Sequence, residues 1–402
     1  MKIAITGDFH FGFNDDAPNQ ARRVLLDACE KADAIILAGD LFDTRIPKQE
    51  TIYESIKIFR ECQFSNTPKV SIFSLEGNEK IPLSQTPLIA IYGTHERRTK
   101  GLVNVIQLLD SAGVLINCHA RKIQLETLDE QTNEPDSVTI QGLGGMPEEL
   151  ASKVVGYMDY RPIEDSFNIF VFHQSIRELI PQDEDCLTMD QLPEDFDLYV
   201  DGHIHWRQEF KDSKKLLLLA GSTVVTQMKQ NETNPKGYYL YDTIKKKSTF
   251  IVVPTRPFVF KEIVFENANP SKITEEVKLA LSNISREFAS QTPLVKLKIT
   301  GTLANGFTSS QIDLRGISKD YAQTMRLSID KDLGTVEFAE RLEQLRQIKQ
   351  EQQSSSELGL SIFTKILEEN GLDKNNLPLS TADLFDLLCL SEIDRILESF
   401  GL

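Results

Sequence analysis

Five of the six histidines in this chain fall in four short segments that each follow a predicted strand. The segments are Gly7-Asp8-Phe9-His10, Gly93-Thr94-His95-Glu96, His173-Gln174 and Gly202-His203-Ile204-His205, joined by a histidine-free one, Gly39-Asp40-Leu41-Phe42-Asp43. Asp8 and His10 are two residues apart, as are the two histidines of the fourth segment. An extended backbone would therefore project both side chains of each pair to the same side. Aspartate and histidine without cysteine suit Mn, Fe, Zn or similar divalent ions.

The number of candidate ligands predicts two ions. Two carboxylates and at least four imidazoles exceed what one ion can use. Two ions roughly 3.5 to 4 Å apart hydrolyse phosphoesters by holding the attacking hydroxide and the leaving oxygen in line. The alternative is that these are ordinary turn histidines, with glycines that only permit tight bends. The repeated coincidence of Asp and His with predicted strand ends favours a metal site. His119 fits no such segment and is predicted to be structural.

The elements that must position these segments are alternating strands and helices. Up to about residue 250, short apolar runs alternate with helical patterns, which is typical of an α/β sandwich. A strand over residues 3–5, a helix with Ala21, Val24, Leu25 and Ala28 on one face, and a strand over 34–38 form a βαβ unit. Further strands are predicted at 87–92, 138–140, 168–172, 198–200, 216–220 and 238–241. Ligands gather at the carboxyl ends of strands in such sheets, so the five segments should converge.

Proline marks a predicted domain boundary. Pro254 and Pro257 lie too close together to continue a helix or a central strand. We therefore predict a first domain over residues 1–254 and a small α+β domain over 255–332. The latter would contain a strand at 259–265, a helix at 273–288 and a strand at 295–299. Residues 333–356 are predicted to form a polar helix and a flexible linker, and 357–402 two amphipathic helices, at 360–369 and 381–400.

Composition limits the classes of function. The chain has 402 residues, and 44 Lys and Arg against 60 Asp and Glu give a formal charge of -16. An even spread of this charge would repel nucleic acid, so any such binding must be local or carried by metal ions. Five scattered cysteines without a C-x-x-C pair, and no apolar run of about 18 residues, predict a cytoplasmic protein without a membrane span. The chain has no Walker A segment, so coupling to ATP would need a partner.

The ordered set D-x-H, G-D-x-x-D, G-x-H-E, H and G-H-x-H resembles the calcineurin-like metallophosphoesterase superfamily over residues 1 to about 250. The G-D-L-F-D segment, the Gly221-Ser222-Thr223 turn, Lys236-Gly237-Tyr238 and Thr255-Arg256-Pro257-Phe258 are similar to the meiotic-recombination-eleven nuclease family in its archaeal type, whose bacterial relative is SbcD. This resemblance implies an α/β fold. Its parts would be a metallophosphoesterase β-sandwich flanked by helices, a small α+β capping domain and C-terminal helices that dock on a coiled-coil ABC-type ATPase. It also implies a homodimer.

The resemblance also implies roles for individual residues. Asp8, His10 and His205 would hold one metal, His173 and His203 would hold the other, and Asp40 would bridge them. His95 would lie beside the scissile phosphate and protonate the leaving oxygen or stabilise its charge. Two positions depart from the family pattern. Thr94 stands where the family has an asparagine ligand, and its hydroxyl is the candidate metal ligand at this position, shorter and poorer than an amide carbonyl. Asp43 stands where several members have a second histidine. Asp43 would orient a ligand.

The function predicted from these features is a DNA nuclease, cutting as an exonuclease, an endonuclease or both, that processes ends in double-strand-break repair with the ATPase. Mn is favoured for both ions because imidazoles fill half or more of the ligand set, whereas Mg prefers oxygen and water. One alternative is a stand-alone phosphodiesterase or phosphatase for small molecules or phosphoproteins. Another is a mainly structural DNA-end-binding subunit with weakened nuclease activity, for which Thr94 argues. The module at 255–332 and the tethered tail favour the nuclease.

Two weaker patterns concern partners. Arg97, Arg98 and Lys100 follow His95 and are candidates for contact with DNA phosphates, with a solvated loop as the alternative. Apolar stripes in the tail predict a docking surface for the ATPase, with folding back onto the rest of the chain as the alternative. The candidate docking residues are Ile362, Phe363, Ile366, Leu384, Leu388 and Ile396.

Overall fold

The computed structural model describes residues 1–64, 69–77, 79–82, 85–99, 101–128, 135–180, 186–212, 214–335, 355–369, 378–389 and 393–399. The helices are α1 Asp16–Lys31, α2 Gln49–Gln63, α3 Val105–Ser111, α4 Glu148–Tyr157, α5 Pro270–Glu287, α6 Leu314–Asp320, α7 Ser355–Glu369, α8 Thr381–Cys389 and α9 Ile393–Ser399. The first eight strands are β1 Lys2–Thr6, β2 Ala34–Leu37, β3 Ser71–Ser74, β4 Glu79–Ile81, β5 Leu88–Ala90, β6 Ile116–Asn117, β7 Lys122–Leu128 and β8 Pro135–Leu143. The others are β9 Phe167–Phe172, β10 Leu198–Asp201, β11 Gln208–Lys211, β12 Leu216–Leu219, β13 Gly237–Asp242, β14 Lys247–Val252, β15 Phe258–Ala268, β16 Leu294–Leu303 and β17 Arg326–Thr335.

The chain forms two compact units. The first comprises Met1–Lys261, Ser285–Lys296 and Tyr321–Ser328, and the second Glu262–Ile284, Leu297–Asp320 and Ile329–Leu402. The division of the sequence at residues 254, 332 and 356 stays a prediction. Within the described residues, no helix has the length and apolar character needed to cross a membrane.

Two mixed sheets form the framework of the first unit. One has the strand order β14-β13-β1-β2-β5-β6, and the other the order β11-β12-β10-β9-β8-β7-β3-β4. The strands β1, β2, β5 and β6 run parallel in the first sheet. In the second sheet β8, β9, β10 and β12 run parallel. Parallel strands end at the same edge of a sheet, so each sheet presents several carboxyl ends together.

Apolar side chains fill the space between the sheets and beneath the helices. Ile5 and Ile36 of the first sheet share a buried cluster with Ile140 and Val171 of the second. Both β1 and β2 read as continuous apolar runs because they are covered on both faces. The predicted face of α1, including Val24, belongs to a second cluster on the outer side of the first sheet. The α/β sandwich flanked by helices is therefore confirmed.

The second unit contains helices with buried apolar stripes. Four residues of α5, Ile273, Val277, Leu281 and Ile284, recur at helical spacing and are buried. In the tail, the Phe363 ring of α7 lies 5.8 Å from the Phe385 ring of α8. A three-stranded sheet has the order β15-β16-β17.

Several elements differ from the prediction. Helix α7 begins at Ser355, inside the predicted linker, and the single helix predicted over 381–400 corresponds to α8 and α9. The strand β17 was not predicted, because charged residues alternate with its few apolar ones and leave no apolar run. Residues 336–354, which hold most of the polar helix and linker predicted over 333–356, lie outside the described residues.

Candidate metal centre

The five predicted segments come together where parallel strands of both sheets end. In the first sheet, residues 8–10 follow β1, residues 40–43 follow β2 and residues 94–96 come after β5. In the second sheet, His173 follows β9, and His203 and His205 follow β10. Phe172 is the register partner of Asp201, so these two strands end side by side.

Backbone hydrogen bonds continue the pairing of β1 and β2 into the loops that carry ligands. The amides of Asp8, His10 and Phe11 donate to the carbonyls of Gly39, Asp40 and Leu41, at 2.9, 3.1 and 2.8 Å. Phe9 and Phe11 are buried in the core. The side chains of Phe9 and Phe11 thus anchor the loop, while the alternating polar residues Asp8 and His10 face the site.

The backbone of these loops is not extended, contrary to the prediction made from the two-residue spacing. Asp8, His10, Asp40 and His203 have positive φ angles of 49°, 51°, 46° and 67°. Residues other than glycine rarely adopt this left-handed conformation, and it clusters at functional sites. The backbone curls at these four ligands, so their side chains are directed by local backbone geometry and not by strand alternation.

Glycine is required next to the ligands because other segments approach closely. A Cβ atom at Gly93 would collide with the side chain and amide of Asp40. A Cβ atom at Gly202 would lie 2.6 Å from Nδ1 of His173. These glycines therefore do more than permit tight bends.

Asp8, His10 and His205 form the first cluster of potential ligands, and all three are buried. The Nε2 atoms of the two histidines lie 3.2 Å apart. Oδ1 of Asp8 lies 4.0 Å from Nε2 of His10 and 3.8 Å from Nε2 of His205. Burial raises the pKa of Asp8 to about 6, which shows that a charged carboxylate there needs compensating positive charge.

Asp40, His173 and His203 form the second cluster. Nε2 of His173 lies 3.1 Å from Oδ2 of Asp40. The other ring nitrogen of His173, Nδ1, donates to the carbonyl of Ala38 at 2.7 Å, which directs Nε2 at the site. Burial alone would lower the pKa of His173, but the charge of Asp40 raises it to about 10. The position therefore favours positive charge.

His95 lies beside both clusters without belonging to either. Its Nε2 atom is 3.9 Å from Oδ2 of Asp40. Its Nδ1 atom donates to the backbone carbonyl of Asp43 at 2.9 Å. The Asp43 carboxylate lies 3.3 Å from Nδ1 of His10 and 3.6 Å from Nδ1 of His95. Asp43 thus contacts the outer nitrogens of both rings, a position suited to orienting them.

Thr94 and Glu96 hold the loop after β5 against the loop after β2. The Thr94 hydroxyl donates to Oδ2 of Asp40 at 3.3 Å, and the His95 amide donates to Oδ1 of Asp40 at 2.8 Å. The buried Glu96 carboxylate accepts from the amides of Phe42 and Gly93, both at 2.8 Å. Burial, with the neighbouring charge of Asp40, raises the pKa of Glu96 to about 8.

Two carboxylates at the second cluster were missed in the sequence. Oε1 of Glu148, the first residue of α4, lies 3.9 Å from Nε2 of His203. Asp201, the last residue of β10, accepts from the Gln174 amide at 3.2 Å, and burial raises its pKa well above the usual value. Asp201 could have been found as a further acidic residue at a strand end. The local sequence around Glu148 indicates only an acidic residue in the first turn of a helix, which does not predict a position at the metal site.

A buried network behind His205 was also missed. The Thr226 hydroxyl donates to Oε2 of Glu232 at 3.4 Å and contacts Nδ1 of His205 at 2.5 Å. The Lys236 ammonium donates to the His205 carbonyl at 2.8 Å, Oγ of Ser222 at 3.0 Å and Oε2 of Glu232 at 3.1 Å. Because the Thr226 hydroxyl donates its hydrogen to Glu232, its oxygen accepts from the Nδ1–H of His205. The Nε2 atom of His205 is then unprotonated, and its lone pair faces the first cluster.

Thr226→Val should therefore weaken binding of Mn²⁺ to the first cluster by about 10- to 100-fold, the usual effect of losing a partner that orients a metal-binding histidine. Thr226→Ser keeps the hydroxyl and should bind Mn²⁺ close to normally. Isothermal titration of the two variants, with matching thermal melts, measures the difference. Equal affinities in Thr226→Val and Thr226→Ser would show that the hydroxyl does not orient His205.

Among the described residues that follow His95, Arg97 and Arg98 form no hydrogen bond or ion pair with the two clusters. Arg97 and Arg98 are half-buried, and Lys100 lies outside the described residues. Their contact with DNA stays a prediction. His119 lies 3.1 Å from the Tyr92 hydroxyl and accepts from the Gly144 amide at 2.9 Å, contacts that suit the structural role predicted for it.

The donor set and its geometry fit divalent metal ions. Ligand atoms bound to one ion at about 2.1 Å lie about 3.0 to 3.5 Å apart in octahedral or tetrahedral arrangements. One pair in each cluster falls in this range, at 3.2 and 3.1 Å, and all ligand atoms of a cluster lie within 4.8 Å of one another. The buried Nε2 atom of His173 lies 3.1 Å from Oδ2 of Asp40 in an arrangement that does not meet hydrogen-bond geometry, and it has no other partner within the described part of the chain. A cation between it and Asp40 would satisfy both groups.

Two Asp/His clusters at the strand ends of a two-sheet sandwich define a metal-dependent phosphoesterase. Residues 1–207 match the calcineurin-like phosphoesterase family, and the chain belongs to that family. Membership implies binding of divalent metal, for which the clusters are suitable.

Within this family, the chain resembles Mre11 proteins. It is 26% identical over 364 residues to the double-strand break repair protein MRE11 of Homo sapiens, covering 74% of this chain and 50% of the human protein. It is 25% identical over 396 residues to the DNA double-strand break repair protein Mre11 of Archaeoglobus fulgidus, covering 93% of this chain and 82% of that protein. It is 27% identical over 220 residues to the DNA double-strand break repair protein Mre11 of Methanopyrus kandleri, covering 51% of this chain and 44% of that protein. The chain thus spans about half the length of two of these relatives.

Proposed function

We propose that the chain is a dinuclear-metal DNA nuclease that hydrolyses phosphodiester bonds while processing DNA ends in double-strand-break repair. The observation that carries the proposal is the pair of clusters, with Asp40 in the second and an accessible histidine, His95, beside it. The similarity to repair proteins named Mre11 in archaea and eukaryotes supports DNA as the substrate.

In the proposed reaction, most residues of the site would hold the metal ions and one would donate a proton. Asp8, His10 and His205 would hold one ion, His173 and His203 the other, and Asp40 both. Two ions supply a hydroxide near neutral pH and charge neutralisation at the phosphate. The proton for the leaving oxygen would come from Nε2 of His95, because its Nδ1 is already bonded to the Asp43 carbonyl. The ring is 41% exposed, so a substrate can reach it.

Cleavage should require added divalent metal, with Mn²⁺ more effective than Mg²⁺. Four imidazoles, those of His10, His173, His203 and His205, lie in the two clusters, and Mg²⁺ prefers oxygen ligands and water. The test strips the full chain with a chelator, restores each metal separately and measures cleavage of linear and hairpin DNA beside a chromogenic phosphodiester. Equal or faster DNA cleavage in Mg²⁺ would contradict the proposed metal.

The same assay separates the alternative functions. Turnover of the chromogenic substrate without DNA cleavage indicates a small-substrate phosphodiesterase. DNA-end binding with no turnover of either substrate indicates a structural subunit. Cleavage of DNA in Mn²⁺ supports the nuclease and distinguishes exonuclease from endonuclease products.

The proposed partners are DNA, a coiled-coil ABC-type ATPase and a second copy of this chain. The formal charge of -16 means that DNA must be held locally, by the metal ions and by groups such as Arg97 and Arg98. Apolar side chains exposed on or beside α2 and α3 support a homodimer; they are Tyr53, Leu102, Val103 and Leu108. We further propose a nuclease domain over residues 1–254, a capping domain over 255–332, a linker over 333–356 and an ATPase-binding segment over 357–402. Scattered cysteines without a disulfide in the described residues support the cytoplasm as the compartment.

A further inference from the structure

We infer that Glu148 supplies an oxygen ligand to the ion of the second cluster, in the role that the side chain at position 94 leaves unfilled. The inference rests on the proposed function, since it concerns the same dinuclear site. It adds to that site a residue from α4, an element that carries none of the five sequence segments.

Position 94 is poorly suited to bind the second ion. The Thr94 hydroxyl is attached directly to Cβ, so its oxygen reaches one bond less far than the oxygen of an asparagine amide. In the structure this hydroxyl donates to Oδ2 of Asp40 at 3.3 Å. Its hydrogen is thus directed at the carboxylate that both clusters share in the proposed site. The second cluster then has Asp40 as its sole oxygen donor among its three members, beside His173 and His203.

Glu148 approaches this cluster from the start of α4, the helix between β8 and β9 of the second sheet. Its Oε1 atom lies 3.9 Å from Nε2 of His203. Two atoms that bind one ion at about 2.1 Å can lie no more than about 4.2 Å apart, and this pair meets that limit. Glu148 lies outside the group formed by Asp40, His173 and His203, whose ligand atoms are all within 4.8 Å of one another, so binding the same ion requires its carboxylate to move closer to Asp40 and His173. The Ser175 amide donates to the same Oε1 at 3.2 Å. Because Ser175 is two residues after His173, this bond fixes the carboxylate against the loop that carries a ligand.

The charge of the site is consistent with this role. With Glu148, the proposed dinuclear site would have three carboxylates, those of Asp8, Asp40 and Glu148, against the four positive charges of two divalent cations. The side chains of Glu148 and His203 are 22% and 29% exposed, so both border the accessible side of the cluster. An ion entering from solvent would meet these two groups first.

The test compares Glu148→Ala with Glu149→Ala in the full chain. Glu149 is the next residue of α4 and is exposed, so its replacement makes the same charge change on the same helix away from the cluster. Mn²⁺ is titrated into chelator-stripped protein and unbound Mn²⁺ is counted by its paramagnetic resonance signal. We expect two ions bound by the parent chain and by Glu149→Ala. In Glu148→Ala the second ion should bind at least about 10-fold more weakly.

A rescue separates a ligand from a merely structural residue. Thr94→Asn added to Glu148→Ala should restore the second ion, because the amide oxygen supplies the missing ligand. If Glu148→Ala melts early, Glu148→Met keeps the length of the side chain without an oxygen and should lose the same ion.

Three results would overturn the inference: retention of two tightly bound ions without Glu148, an equal loss in Glu149→Ala, or fewer than two ions in the parent chain. DNA cleavage by the same preparations tests the proposed function separately. A parent chain that binds two ions but cleaves no DNA, with the second ion lost in Glu148→Ala, refutes the nuclease and leaves the inference standing. If the parent chain cleaves DNA and its Glu148→Ala form keeps both ions, the inference is refuted and the proposed function stands.

Discussion

Replacing His95 by alanine should lower DNA cleavage by about 10²- to 10⁴-fold while the protein keeps both metal ions. The His95 ring is held by its bond from Nδ1 to the Asp43 carbonyl, and its Nε2 atom lies 3.9 Å from Oδ2 of Asp40. In the proposed reaction, Nε2 of His95 would protonate the leaving oxygen or stabilise its charge. Single-turnover cleavage at saturating Mn²⁺, with metal content measured on the same sample, gives both quantities.

Asp40→Ala is the control for the His95→Ala result. Asp40 accepts from the His95 amide and lies 3.1 Å from Nε2 of His173, so its loss should remove metal and activity together. The structure also contains an arrangement that could contradict the role of His95. His10, Asp43 and His95 lie close enough to hold an ion themselves. Loss of an ion in His95→Ala would reassign His95 as a ligand.

Local sequence patterns were sufficient to predict where the polar segments lie. Strands such as β1 and β2 are short apolar runs covered on both faces, and the ligands follow them immediately along the chain. Their convergence follows from parallel pairing, because the carboxyl ends of paired parallel strands share one edge. A reader of the sequence needs no tertiary contact to expect that Asp8 and Asp40 are neighbours.

The supporting residues could not be predicted because their contacts join distant parts of the chain. Glu232 stands in a polar turn, and nothing in its local sequence indicates that its carboxylate meets Thr226 and the buried Lys236. Glu148 likewise resembles any acidic residue at the start of a helix. The positive φ angles of Asp8 and His10 were hidden for a related reason, since the surrounding structure and not the residue type imposes this conformation.

The tail helices divide the predicted docking residues into two groups. Leu384 is only 5% exposed, so it stabilises the tail itself, and its role in docking stays a prediction. Ile366 is 50% exposed and Leu388 is 44% exposed. Ile362, Phe363 and Ile396 lie between these extremes. The exposed pair is therefore the part of the predicted surface that a partner could cover without any change in the tail.

Deleting residues 357–402 should leave a metal-binding nuclease that no longer co-purifies with the coiled-coil ATPase and is not stimulated by ATP. The double variant Ile366→Glu, Leu388→Glu should weaken binding at least about 30-fold, because two charges would be buried in an apolar contact. Folding should be preserved, since both positions are exposed. Affinity is measured by titrating each form of the full chain against the purified ATPase.

Leu279→Glu provides the matched control for this effect. Leu279 is an apolar residue on α5 that is 62% exposed, so Leu279→Glu adds one negative charge on a helix outside the tail, the same charge as each single substitution of the double variant. If Leu279→Glu weakens binding as much as the double variant does, the added negative charge and not the tail surface is responsible. If the truncated chain binds the ATPase at full affinity, the partner docks elsewhere. If instead it unfolds, residues 357–402 belong to the folded body, because their apolar side chains would then be needed to cover it.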